Sequence, residues 1–114
     1  MHKEQSSLDI ALEDGCTDDF YLSTLELNLQ NVLNEFKPDF VFYQSGVDIL
    51  ESDKLGRISL SMTGCQQRDE LVFNKTSNLG LPIVTCMGGG YSESVAKIVN
   101  AHATTFKMAM NSYY

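Results

Sequence analysis

Phe40-Val-Phe-Tyr-Gln-Ser-Gly-Val-Asp48 and, further on, Leu81-Pro-Ile-Val-Thr-Cys-Met-Gly-Gly-Gly-Tyr91 decide the fold of this chain. Each is a short apolar run that ends in a glycine-bearing loop. The run of Phe40, Val41, Phe42 and Tyr43 is β-branched and aromatic, brief and without alternation, which suits a strand covered on both faces. Leu81 to Cys86, rich in Ile and Val, reads as a second strand of the same kind. In an α/β sheet, ligand sites gather outside the carboxyl ends of the strands. The loop 45–59 and the turn at Gly88, Gly89 and Gly90 therefore occupy the places where chemistry is expected.

Outward from these strands the pattern is helical. Thr17 or Asp18 can cap a helix whose apolar positions, Leu22, Leu25, Leu29, Val32, Leu33 and Phe36, recur at three and four residues. Pro38 stops it, because its ring disfavours helical geometry at Lys37. A second helix is expected over residues 61–78, closed by Gly80 and prevented from continuing by Pro82. Ser92 can cap a third, with Val95, Ile98, Val99, His102, Phe106 and Met110 as its inward stripe. Leu8, Ile10 and Leu12 alternate as in a short strand, within an otherwise irregular start. The order helix-strand-helix-strand-helix makes the chain α/β, and two strands joined by a helical crossover imply parallel pairing in a right-handed βαβ unit. Parallel sheets usually have more strands and covered faces. Two central-looking strands without neighbours therefore suggest part of a larger sheet, or a chain completed by a partner.

Composition narrows the function. The 114 residues carry a formal net charge of −7, with 43% hydrophobic and 20% charged residues. An acidic chain is poorly suited to capturing nucleic acid or an anionic membrane, both of which call for clustered Lys and Arg. No apolar run approaches membrane-spanning length and the start lacks a signal-peptide core, so a cytoplasmic protein is expected. Cys16, Cys65 and Cys86 are odd in number and widely spaced, signalling neither a zinc knuckle nor a disulfide framework.

Several residues have two readings. Asp48, at the carboxyl end of the first strand, can ligate zinc or act as a general base, or it is a turn aspartate. Asp53 and Arg57 can pair with each other or brace the same loop. The three glycines allow close backbone approach to a ligand, or a phosphate at the following helix. Their spacing matches neither common nucleotide-loop pattern. Tyr91 can donate a hydrogen bond to a developing oxyanion, or simply pack with its hydroxyl in water. His102 falls on the apolar stripe, where a structural histidine is the plainer reading.

Taken together, residues 36–48, Asp53-Lys-Leu-Gly-Arg57, Leu60-Ser61, Arg68-Asp-Glu-Leu71 and Met87-Gly-Gly-Gly-Tyr91 resemble the arginase/deacetylase superfamily. The similarity is to histone deacetylases and acetoin-utilisation-type deacetylases, nearest their bacterial and class IV-like branch. Leu8-Asp-Ile-Ala-Leu-Glu-Asp-Gly15 and the stretch from Asp18 to Leu22 share it, while Cys16-Thr17 departs from the usual Thr-Gly. The resemblance implies that residues 1–114 are the C-terminal part of a parallel-sheet, arginase/deacetylase-like domain. It also implies a zinc-dependent deacetylase acting on acetyl-lysine or a related small N-acyl amine. By the same resemblance Asp48 looks like a carboxylate ligand of the zinc, and Tyr91 like the phenol that polarises the substrate carbonyl. Gly89, Gly90 and Leu55 look like the lining of a narrow acyl-lysine channel.

The family's other metal ligands come from an Asp-x-His segment, and paired histidines serve as its general base and acid. This sequence contains no Asp-x-His, and His2 and His102 are its only histidines. The expectation is thus an incomplete catalytic domain, inactive in isolation, with the N-terminal half as a candidate partner chain. The alternative is a non-catalytic remnant or interaction module of the same fold. Nucleotide binding at the glycine turn is a third reading, and it predicts stabilisation by nucleotide.

Overall fold

A computed structural model describes residues 7–50, 58–89 and 94–114. The elements run α1 (Asp18–Phe36), β1 (Val41–Gly46), α2 (Met62–Asn78), β2 (Ile83–Gly88) and α3 (Val95–Tyr113). The expected order and the parallel pairing are both present: Val41 faces Ile83 at one end of the two-stranded ladder and Gly46 faces Gly88 at the other. The alternating Leu8, Ile10 and Leu12 enter no ladder, and that stretch is irregular.

The helix ends follow local chemistry. Thr17 is the N-cap of α1, but its side chain makes no capping bond. Asp18 and Asp19 place negative charge on the first turn, where the helix dipole favours it. Lys37 takes the left-handed conformation and its N–H returns to the Leu33 carbonyl, just ahead of Pro38. Ser61 caps α2 by accepting from the Gly64 N–H at 2.9 Å. At the other end of α2, Gly80 with φ +68° lets its own N–H reach the Ser77 carbonyl while Leu81 reaches that of Thr76, a Schellman closure.

Helix α2 is the centre of the molecule, with both α1 and α3 packed on it. Its buried residues include Cys65, Arg68, Asp69, Val72, Phe73 and Thr76. The inner face of the sheet meets it through Tyr43, whose ring stands edge-on to Phe73 with centroids 5.5 Å apart. Phe73 in turn stands edge-on to Tyr113. Asp18 reaches from α1 to accept from both the backbone N–H and the hydroxyl of Ser61. Gly64 makes room for that clasp, since a Cβ there would lie 2.1 Å from Asp18 Oδ1.

Two expectations fail for one reason, the lack of a covering neighbour. The first strand is covered on one face only: Phe42 is 77% exposed, and Val84 and Cys86 beside it also face solvent. On α3 the buried residues are Ala101 and Thr105, whereas Val95, Val99, Phe106 and Met110 are exposed and Ile98 and His102 half-buried. The small side chains let α3 lie close to α2, leaving the broader apolar stripe outward. Phe36, read as part of the buried face of α1, is likewise exposed. No described helix is long and apolar enough to cross a membrane.

Candidate functional site

The two segments singled out in the sequence meet at the carboxyl end of the sheet. Beyond the Gly46–Gly88 pair, the Val47 N–H donates to the Gly88 carbonyl at 2.9 Å. The chain then turns, with the Leu50 N–H on the Val47 carbonyl, and Asp48 lies exposed at the bend. The Asp48 carboxylate sits back over Gly46: a Cβ on that glycine would lie 2.9 Å from Oδ1. Gly89 has φ +76°, and a Cβ on it would lie 2.7 Å from the Asp48 nitrogen. Its glycine is therefore required twice, by the backbone conformation and by the closeness of the two loops. The amide of Gln44 crosses Gly88 on the same side, 2.7 Å from where a Cβ would stand. Asp48 and Gly89 are thus neighbours.

Beneath this rim lies a buried polar cluster. The carboxylate of Asp69, fully buried, accepts from the Tyr43 hydroxyl, from Arg68 Nε at 3.0 Å and Nη2 at 2.9 Å, and from the Thr105 hydroxyl. Arg68 Nη1 donates to the Gly46 carbonyl at 2.5 Å, and its guanidinium lies 5.6 Å from the centre of the Tyr43 ring. Burial pushes the Tyr43 phenol well up, with Arg68 opposing and Asp69 adding to the shift, so Tyr43 keeps its proton and donates it. Burial raises the Tyr21 phenol too, opposed by Arg68 and reinforced by Cys65 and Asp48, which places Tyr21 within electrostatic reach of the same cluster. The Cys65 thiol is also raised by burial and stays protonated.

Among the described residues no three His, Cys, Asp or Glu side chains gather to hold a metal ion. Asp48 fits as a single ligand, whereas a catalytic zinc normally takes three from protein. The described residues therefore do not by themselves fit a zinc site. Leu55, Gly90 and Tyr91 lie outside the described residues, as do Asp53 and Arg57. The cap of α3 is Ser94 rather than the expected Ser92, its hydroxyl accepting from the Lys97 N–H at 3.3 Å. Among the described residues His102 belongs to no group of three metal-binding side chains, and its buried Nδ1 meets no hydrogen-bond partner. One surface concavity, lined by Leu33, Asn34, Lys37, Pro38, Leu79 and Leu81, lies by the segments that lead into the strands, away from Asp48.

Comparison with known proteins decides the family. The model of the histone deacetylase domain matches residues 1–106. The chain belongs to the histone deacetylase family. It is 36% identical over 111 residues to an uncharacterized protein of Picosynechococcus sp., covering 97% of this chain and 37% of that one. Against Histone deacetylase 2 of Arabidopsis thaliana it is 36% identical over 90 residues, covering 79% of this chain and 23% of the relative. Among solved structures, a histone deacetylase homologue complexed with SAHA superposes with a TM-score of 0.69 at 28% identity, over 92% of this chain and 26% of that one. The chain thus spans little more than a third, or less, of the length of these relatives.

Sequence reasoning missed three contributors to the packing of the helices and the sheet. Arg68 and Asp69 carried the resemblance but received no role. Tyr113, read as an uninformative terminus, places its hydroxyl 2.7 Å from Thr76 Oγ1 and 2.8 Å from the Leu81 carbonyl, fastening α3 to the turn before β2. Tyr21 lies in the stretch from Asp18 to Leu22 that shares the resemblance, but it received no role.

Proposed function

We propose that this chain contributes the C-terminal part of the catalytic domain of a zinc-dependent deacetylase that hydrolyses acetyl-lysine or a related N-acyl amine. The observation that carries the reading is the approach of Asp48 to the Gly88-Gly89 turn, within a chain that belongs to the deacetylase family. Asp48 is the metal-binding carboxylate, with the remaining ligands supplied by the portion of the fold that this chain does not span. Tyr91 is the phenol that donates to the substrate carbonyl oxygen as negative charge develops there. Leu55, Gly89 and Gly90 border the acyl channel. A SAHA complex of a homologue supports an extended acyl-amide-like ligand for the family site.

A fusion tests this: the chain replaces the matching segment of the Arabidopsis Histone deacetylase 2, and zinc content and acetyl-lysine peptide hydrolysis are measured together. Zinc-dependent turnover is expected in the fusion and none in the isolated chain. Asp48→Ala should lose both zinc and turnover, and Tyr91→Phe only turnover. A folded Asp48→Ala fusion that keeps its zinc removes Asp48 from the ligand set. A second reading, a non-catalytic interaction module of the same fold, is favoured by the uncovered apolar faces of β1 and α3. It predicts a folded, zinc-free fusion without turnover.

A further inference from the structure

We propose that Arg68, held by Asp69, is a positioning residue for Asp48, acting through a clamp on the Gly46–Val47 peptide. Both polar atoms of that peptide are taken. Its carbonyl, on Gly46, accepts from Arg68 Nη1, and its N–H, on Val47, donates to the Gly88 carbonyl. Asp48 is the next residue, so the direction in which its carboxylate leaves the strand is set by a peptide that cannot turn without breaking both bonds. One of them comes from the glycine turn and the other from α2.

Arg68 is oriented for this by its bonds to Asp69. Nε and Nη2 form a fork onto Asp69 Oδ1, which leaves Nη1 aimed at Gly46. Asp69 is itself fixed by the Tyr43 hydroxyl from β1 and the Thr105 hydroxyl from α3. The clamp therefore links α2, α3 and β1 to a single strand end. Arg68 is 4% exposed and Asp69 0%. Burying such a pair is costly unless geometry and hydrogen bonds are good, and a plain packing role needs neither charge nor a third donor at a strand terminus. Lysine would keep the charge but not the planar fork that serves two acceptors at once. The role rests on the reading of Asp48 as the site carboxylate.

The test uses the full chain and the Arg68→Lys variant, with residue-resolved amide exchange and the 13C shift of the Asp48 carboxyl. Retained charge in Arg68→Lys keeps a field effect from mimicking a geometric one. Expected are faster exchange at Val47 by about tenfold, the scale of one charge-assisted bond, a moved Asp48 carboxyl shift, and unchanged exchange in α1. Exchange that quickens equally in α1 and at Val47 means general destabilisation and overturns the proposal, as does an unmoved Val47. Should Arg68→Lys not fold, Thr105→Val removes one donor from Asp69 and leaves the guanidinium in place. Quickened exchange confined to Val47 and Asp48 then supports the clamp, and no local change overturns it. Neither readout needs zinc or turnover, so a clamp present in the chain together with a folded fusion that lacks zinc-dependent turnover would refute the functional reading alone.

Discussion

Replacing Asp69 by leucine isolates what the buried cluster contributes to stability. The substitution is close in size, and it removes the acceptor of Tyr43, of two Arg68 donors and of Thr105. A buried cation deprived of its partner costs about 3–5 kcal/mol, and an orphaned buried hydroxyl about 1–3 kcal/mol more. Two features reduce that sum. Arg68 keeps the Gly46 carbonyl, and the Thr105 hydroxyl keeps the Ala101 carbonyl at 3.2 Å. The Tyr43 phenol has no such second acceptor among its described bonds. A loss of about 4–5 kcal/mol follows, large beside the roughly 5–15 kcal/mol that hold typical domains folded. Urea unfolding followed by far-UV circular dichroism reads it as a lower midpoint with an unchanged slope. Arg68→Met alone should also destabilise, because it strands the carboxylate. The double variant Arg68→Met with Asp69→Leu should recover part of both losses, since a hydrophobic pair of similar volume can replace a buried ion pair. A loss below about 1 kcal/mol for Asp69→Leu, or strictly additive losses in the double variant, would refute the reasoning.

The other expectations concern single contacts. Gly64→Ala should lower Tm by several degrees, at about 4 °C per kcal/mol for a chain this size, because the new methyl displaces Asp18 from Ser61. In an Asp18→Ala background the same change should cost nothing further, and an equal penalty there would contradict the clasp. Raised proton affinities of Cys65, Tyr21 and Tyr43 make the fold sensitive to alkali. Each folded group keeps its proton to a higher pH than the unfolded chain, so stability is whole below the ordinary values of 9.0 for Cys65 and 10.0 for the tyrosines and falls above them. The urea midpoint should drop above pH 10, less steeply in Tyr43→Phe, and a midpoint that does not move would contradict their burial. Phe42→Thr should change stability by no more than about 0.5 kcal/mol while reducing self-association in sedimentation velocity. A loss well above that would mean the outer face of β1 is covered.

Much of this molecule is legible along the chain. Pro38 and Gly80 end α1 and α2 where expected, Ser61 caps α2, and the helix between two apolar runs imposes the parallel ladder. Those features depend on backbone geometry within a few residues, which is what local sequence encodes. The neighbourhood of Asp48 and Gly89 was legible for a related reason: both follow parallel strands, so both emerge at the same end of one sheet.

Other features depend on which surface finds a partner, and periodicity is silent on that. It identified an apolar stripe on α3 yet chose the outward one, because Ala101 and Thr105 allow a closer approach to α2 than Val99 or Phe106. It marked Phe42 as inward on a strand that has cover on only one side. Arg68 and Asp69 look like surface charges in a sequence, since such residues are almost never fully buried unless paired. Only the folded arrangement brings Tyr43 and Gly46 of β1 and Thr105 of α3 to them. The sequence by itself determined the order of elements and the end of the sheet at which Asp48 and Gly89 meet. The tertiary structure decided which faces are covered and what fixes the Gly46–Val47 peptide, because burial and long-range hydrogen bonds join residues whose separation along the chain carries no periodic signal.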